Sequence, residues 1–199
     1  MFTGIIEQTG RFAGYGRNRS ELAVEAPGLA PRIGIGGSLA VDGACLSVVR
    51  RDGPKLVFDL SRETSLRTTL GDLRPGRVLN LELPLTPSSP IDGHLVTGHV
   101  DFRSRIVRSA ARPPGRRLVV ALPRAFAPFV VAQGSVAVNG VSLTVAAVGT
   151  SSFEIELIPI TLDKSTMGLL RAGDEVNVEC DLVGKYVYNF VSPKRRRTP

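Results

Sequence analysis

One eight-residue phrase occurs twice in this chain, as VDGACLSV at 41–48 and as VNGVSLTV at 138–145. The longer stretches GSLAVDGACLSV (37–48) and GSVAVNGVSLTV (134–145) share seven of twelve positions at an offset of 97. The register continues: Leu60 meets Leu157, Thr64 meets Thr161, Gly71 meets Gly168, Asn80 meets Asn177 and Glu82 meets Glu179. Toward the N-terminus, TGIIE (3–7) faces TGHVD (97–101) at an offset of 94, so the second half carries about three extra residues, placed in the loop containing RPPGR. A repeat on this scale requires one structural unit to be built twice. The junction falls near LTPSSPID (85–92).

Each half reads as all-β. LAVEA, SLAVDG, CLSVVR, LVFDL and VLNLEL are short, β-branched, partly alternating runs bounded by Gly, Pro or Asp-Gly. Asp-Gly and Asn-Gly inside the phrase are tight-turn signals, because glycine tolerates the positive φ such turns need. About six strands in roughly 90 residues suit a small closed barrel, which leaves no free sheet edge. The expected fold is therefore two tandem six-stranded barrels related by a pseudo-twofold axis. Their expected bounds are 1–90 and 91–184, with a C-terminal helix and basic tail over 185–199. Within KYVYNFVSP, Tyr186, Val187 and Phe190 fall on one helical side and could pack against another chain.

The charge of +7 raises the question of nucleic acid, but Lys194, Arg195, Arg196 and Arg197 supply four of those charges. A short basic tail is ordinarily solvated. With 6% aromatic residues and no aromatic-studded basic strand, no nucleic-acid partner is expected. No run approaches the roughly 20 apolar residues of a membrane span, and the start of the chain lacks the pattern of a signal peptide. Cys45 and Cys180 are too few for a disulfide framework, so a cytoplasmic protein with reduced thiols is expected. His94 and His99 lack the companions zinc requires, and no metal is expected.

The two copies differ where chemistry would lie. Ile5 becomes His99, Asp42 becomes Asn139, Cys45 becomes Ser142, Ser47 becomes Thr144, Glu63 faces Ile160 and Pro84 faces Asp181. Drift after duplication accounts for some of this, since Cys and Ser both fill small holes. Unequal lining of two similar pockets also suits two copies of one molecule playing different parts.

MFTGIIE, the paired phrases, GHLVTGHVD (93–101), LIPITL (157–162) and VNVECDLVGKYV (176–187) together resemble the α-type riboflavin synthases, in order and spacing over about residues 1–190. The resemblance implies Greek-key barrels and a C-terminal helix that assembles a homotrimer. It implies that each barrel binds one 6,7-dimethyl-8-ribityllumazine and that no cofactor is needed. The implied reaction passes a four-carbon unit between two lumazines, giving riboflavin and 5-amino-6-(D-ribitylamino)uracil. The implied site lies between the N-terminal barrel of one subunit and the C-terminal barrel of a neighbour. The same barrels occur in lumazine proteins, non-catalytic antennae that lose the first-phrase Cys and polar residues of the second pocket; this chain keeps Cys45, His99, Ser142 and Thr144.

Carried onto this sequence, the resemblance makes Cys45, His99, Ser142 and Asp181 the catalytic candidates. Ser142, supported by Asp181, would polarise or hydrate the acceptor; Cys45 and Ser47 would contact the other ring. His99 is a candidate proton shuttle, histidine being the side chain that titrates near neutral pH, or else a ring bonded to backbone beside the ligand. His94 reads as structural. Phe2 is an aromatic able to close over a ring. Backbone and side chains of Gly4, Ile5, Ile6, Leu46, Gly98, Val100, Leu143 and Thr144 complete the expected cradles, with Gln133. The segments after the fifth strand of each half join them: Asp59, Leu60, Ser61, Arg62, Glu63 and Thr64, and Leu157, Ile158, Pro159, Ile160, Thr161 and Leu162. Five positions depart from the family pattern. Asp42 and Asn139 are exchanged, Gln133 replaces a usual Lys, Asp92 a usual Gly, and Phe102 a usual Gly.

Overall fold

The structure is a computed structural model that describes residues 1–192; the basic run Lys194–Arg197 lies outside them. The first barrel comprises β1 (Gln8–Tyr15), β2 (Glu21–Glu25), β3 (Ser38–Val41), β4 (Ala44–Asp52), β5 (Lys55–Asp59) and β6 (Val78–Glu82). The second comprises β7 (Phe102–Arg112), β8 (Gly115–Ala121), β9 (Ser135–Val138), β10 (Val141–Val148), β11 (Ser152–Leu157) and β12 (Glu175–Cys180). The first closes in the order β1-β2-β5-β4-β3-β6, and the second repeats it with β7 in the place of β1. This is the Greek-key barrel, twice. Alternation places Leu22, Val24, Leu46, Val48, Leu56, Phe58, Leu79 and Leu81 inside the first, and Leu118, Val120, Leu143, Val145, Phe153, Ile155, Val176 and Val178 inside the second. Matching register shifts in β1, β4, β7 and β10 bend the strands at the barrel corners.

The extra residues of the second half lengthen its first hairpin instead of its loop: β7 and β8 have 11 and 7 residues, against 8 and 5 in β1 and β2. Short helices follow β5 and β11. Ser61 caps α1 (Arg62–Arg67) by accepting from the Thr64 amide at 3.0 Å, whereas α2 (Pro159–Lys164) opens on proline. The C-terminal helix α3 (Leu182–Val191) begins three residues before the expected 185, because Asp181 accepts from the Val183 amide at 2.9 Å. No helix among the described residues is long and apolar enough to cross a membrane.

The barrels meet through the turns of the repeated phrase. Asp42 (φ 42°) and Gly43 (φ 80°) form one turn, Asn139 (φ 46°) and Gly140 (φ 77°) the other; two successive positive φ values are what a two-residue hairpin turn requires. The turns touch back to back: a Cβ on Gly43 would lie 2.6 Å from the Gly140 nitrogen. Asn80 Nδ2 donates to the Asn139 carbonyl at 3.0 Å and Asn177 Nδ2 to the Asp42 carbonyl at 2.8 Å. The side-chain oxygens of the same asparagines accept the amides of Thr166 and Thr69 across the interface, at 2.7 and 2.8 Å. Buried amides left unpaired would each cost about 1–3 kcal/mol, so this crossed set fixes how one barrel sits on the other.

The halves also exchange strand-like segments. Phe2 and Val96 form an antiparallel bridge, and Phe2, fully buried, packs with Ala40, Val96 and Ala137 between the barrels. Residues 2–6 and 94–100 therefore belong to both units.

Candidate active site

Two buried glutamates at equivalent places hold the segments that line the pockets. Glu82, at the end of β6, accepts from the Thr3 amide and hydroxyl at 2.7 Å each and from the Gly4 amide at 3.0 Å. Glu179, in β12, accepts from the Thr97 amide and hydroxyl at 2.7 Å and from the Gly98 amide at 3.0 Å. Burial pushes the Glu82 carboxyl above the ordinary range, although the Thr3 and Gly4 donors pull the other way. Each held segment then reaches the opposite barrel: the Ser142 amide donates to the Gly4 carbonyl at 2.8 Å, and the Cys45 amide to the Gly98 carbonyl at 2.9 Å. A Cβ on Gly4 would lie 2.6 Å from Ser142 Cβ, and one on Gly98 2.5 Å from Cys45 Cβ. Only glycine permits these approaches, and both have positive φ (76° and 81°).

Two pockets result, each made by both halves. The first, about 360 Å³, is lined by Ala44, Cys45, Glu63, Thr64, Arg67, Thr68, Gly98, His99, Val100 and Asp101. The second, about 230 Å³, is lined by Val141, Ser142, Ile160, Thr161, Lys164, Ser165, Gly4, Ile5 and Ile6. Nearly every lining residue of one has its repeat counterpart in the other, but the equipment differs. Glu63, Arg67 and His99 face the first pocket where Ile160, Lys164 and Ile5 face the second. Glu63 pairs with Arg67 at 2.8 Å, whereas no ion pair among the described residues involves Lys164. A larger cleft of about 460 Å³, lined by Asp72, Arg77, Arg103 and Glu175 among others, touches neither phrase, and its Arg103 is already paired with Asp72 and Glu175.

The expected residues distribute unevenly. Cys45, Glu63, Thr64, Gly98, His99 and Val100 gather in the first pocket, and Gly4, Ile5, Ile6, Ser142, Ile160 and Thr161 in the second. Cys45 and His99 therefore share one pocket of the chain while Ser142 lines the other. Ser47 and Thr144 lie two residues further along β4 and β10 on the same outward, exposed faces. Leu46, Leu60, Leu143 and Leu157 point into the barrel cores, which leaves only their backbone for a ligand. Asp59, Ser61, Arg62, Ile158 and Pro159 are exposed beside the pockets, Leu162 packs on the second core, and Gln133 sits exposed with φ 65° before β9. Phe2 is corrected from a flap to a wedge: its fully buried ring lies beneath Gly98, 3.0 Å from where a Cβ would stand.

Between Ser142 and the Asp181 expected to support it stands His94, on which the Asp181 charge acts. Asp181 caps α3, and the group bonded to Ser142 Oγ is His94 Nδ1, at 2.7 Å. Burial lowers the His94 pKa, opposed by the charge of Asp181. His94 was legible only as a structural residue because along the sequence it pairs with no other chemical group of the pattern. Thr3, Thr97, Glu82 and Glu179, by contrast, were marked by their identity in both halves.

The lumazine binding domain model matches residues 3–84 and 97–181, one copy on each of the tandem barrels. Riboflavin synthase from Mycobacterium tuberculosis is 39% identical over 194 residues, covering 94% of this chain and 96% of that one. The Bacillus subtilis enzyme is 33% identical over 193 residues, covering 96% and 90%. The crystal structure of LumP complexed with riboflavin shares the fold, with a TM-score of 0.84 at 22% identity, covering 90% of this chain and 99% of that one. The chain belongs to the riboflavin synthase family.

Proposed function

We infer from the paired pockets how this chain does the family's work. The activity is that of a riboflavin synthase, a transferase in which two molecules of 6,7-dimethyl-8-ribityllumazine dismutate into riboflavin and 5-amino-6-(D-ribitylamino)uracil. The carrying observation is that the duplicated pockets match in backbone and differ in side chains. Matched backbone suits one heterocycle bound twice; unequal side chains suit a donor and an acceptor. Holding two rings in register removes most of the entropic barrier to a bimolecular step, about 7–11 kcal/mol in favourable cases.

Residues 1–90 and 91–184 each supply most of one pocket and lend a segment to the other. In this reading Cys45 and His99 serve the ring in the first pocket, with His99 in position to move a proton, and Ser142 polarises the ring in the second. In this reading the two rings meet between facing pockets of different subunits, and α3 supports a homotrimer. Val183, Tyr186, Val187 and Val191 are exposed on it, and Phe190 is 78% exposed. Such a patch on a ten-residue helix costs solubility unless a neighbouring chain covers it. Phe190→Asp is expected to shift the sedimentation mass from trimer toward monomer and to abolish turnover at low protein concentration. An unchanged mass would remove α3 from the interface. The unpaired Cys45 and Cys180 support a cytoplasmic location.

The test is direct: purified protein mixed with dimethylribityllumazine is expected to form riboflavin, followed by absorbance. Tight binding with no spectral change over hours would instead mark a non-catalytic antenna. Ser142→Ala and Cys45→Ser are each expected to lower kcat by roughly tenfold or more, while weakening ligand binding in different pockets. If neither affects turnover, the assignment of these pockets is wrong.

A further inference from the structure

Ser142 is held more tightly than a pocket hydroxyl needs for binding alone. Its amide is bonded to Gly4, and the Gly93 backbone lies so close that a Cβ there would stand 2.9 Å from Ser142 Oγ and 2.2 Å from the Thr3 carbonyl. The next residue, His94, donates its own amide to that Thr3 carbonyl at 3.2 Å and brings Nδ1 to 2.7 Å from Ser142 Oγ. Its other nitrogen, Nε2, is buried and finds no hydrogen-bonding partner among the described residues.

We infer that His94 is a positioning residue that sets the polarity of Ser142: Nδ1–H donates to Oγ, which turns the serine's own proton toward the ligand in the second pocket. The inference deepens the reading of that pocket as a lumazine site and rests on it. Two neutral tautomers are open to the ring. With the proton on Nε2, a buried N–H would stand unpaired, the rarer and costlier kind of orphan. With the proton on Nδ1, the orphan is a lone pair, and the hydrogen bond to Ser142 is kept. Oγ then accepts from the imidazole, and its hydroxyl proton points to the pocket that Ser142 lines. A hydroxyl that accepts one hydrogen bond is strengthened as donor in the next. Given to a carbonyl or imine nitrogen of an electron-poor heterocycle, that hydrogen bond draws electron density from the ring and readies its carbons for attack. Ser142 thus acts as a donor, with no base needed to deprotonate it.

The primary test is nitrogen-15 NMR of the ligand-free, full-length protein. Long-range proton–nitrogen couplings should show His94 protonated on Nδ1; protonation on Nε2 alone overturns the inference whatever the kinetics. A second test compares two replacements. His94→Asn keeps a donor near the Nδ1 position and is expected to hold kcat within about threefold of the parent. His94→Asp offers only acceptors and is expected to lower kcat roughly a hundredfold with KM little changed. Asp equal to or better than Asn would overturn donation. Should His94→Asp fail to fold, the tautomer decides alone. Failure of the parent to turn over lumazine would sink the functional reading of the pocket and leave the tautomer result standing.

Discussion

Glu82→Ala, a change in the first barrel, is expected to destroy the ligand pocket of the second. Glu82 holds three donors of Thr3 and Gly4, and those residues carry Gly4, Ile5 and Ile6 to Ser142. Hydrogen bonds to a charged acceptor contribute about 1.5–3 kcal/mol each, and their removal leaves buried amides unpaired. A loss of about 3 kcal/mol or more is expected in urea unfolding. Glu179→Ala should do the converse, releasing Gly98 and His99 from Cys45. The accessible thiol reports which pocket survives, since Cys45 lines the first pocket and Cys180 is buried. In Glu82→Ala, ligand should still protect Cys45 from alkylation while the binding stoichiometry falls from two to one. In Glu179→Ala, protection itself should disappear. The opposite pattern would show that each pocket depends on its own barrel alone.

The second large effect concerns stability. Asp42 is buried at the pseudo-twofold axis, and desolvation pushes its carboxyl from the ordinary 3.8 up to about 7, despite the Asn80 amide and the Arg77 charge. Below pH 3.8 the group is neutral in the folded and unfolded chain alike. Between there and about 7 the unfolded chain releases its proton while the folded one retains it, so stability falls as pH rises through that window. The fall is on the order of 4 kcal/mol at about 1.4 kcal/mol per pH unit. Asp42→Asn removes it. The repeat shows that the substitution fits: Asn139 Oδ1 accepts the Asn177 amide at 2.8 Å, as Asp42 Oδ1 accepts the Asn80 amide at 2.7 Å. Asn139 Nδ2 has no partner among the described residues, and a like orphan at 42 would offset part of the gain. Asp42→Asn is therefore expected to be about 2–3 kcal/mol more stable than the parent at pH 8 and, with only the orphan cost left, about 1–2 kcal/mol less stable near pH 4. A difference independent of pH would show that Asp42 is ionised in the folded protein throughout.

The amino-acid sequence alone determined the architecture and the family. A fixed offset carries barrel, turn and pocket together, because alternation and Asp-Gly or Asn-Gly turns are local rules that each copy obeys separately. It also marked Cys45, Ser142 and His99, since a difference between copies stands out once the register is known. Tertiary structure alone decided who meets whom. The register compares position with equivalent position, yet Gly4 touches Ser142 and Gly98 touches Cys45, so the contacts that build the pockets cross the repeat. Phe2 is a wedge for the same reason, buried by a segment 94 residues away. His94 pairs with no chemical group along the sequence, and only folding brings its ring to Ser142. Local pattern is written along the chain; proximity between the two halves exists only after they have closed on one another.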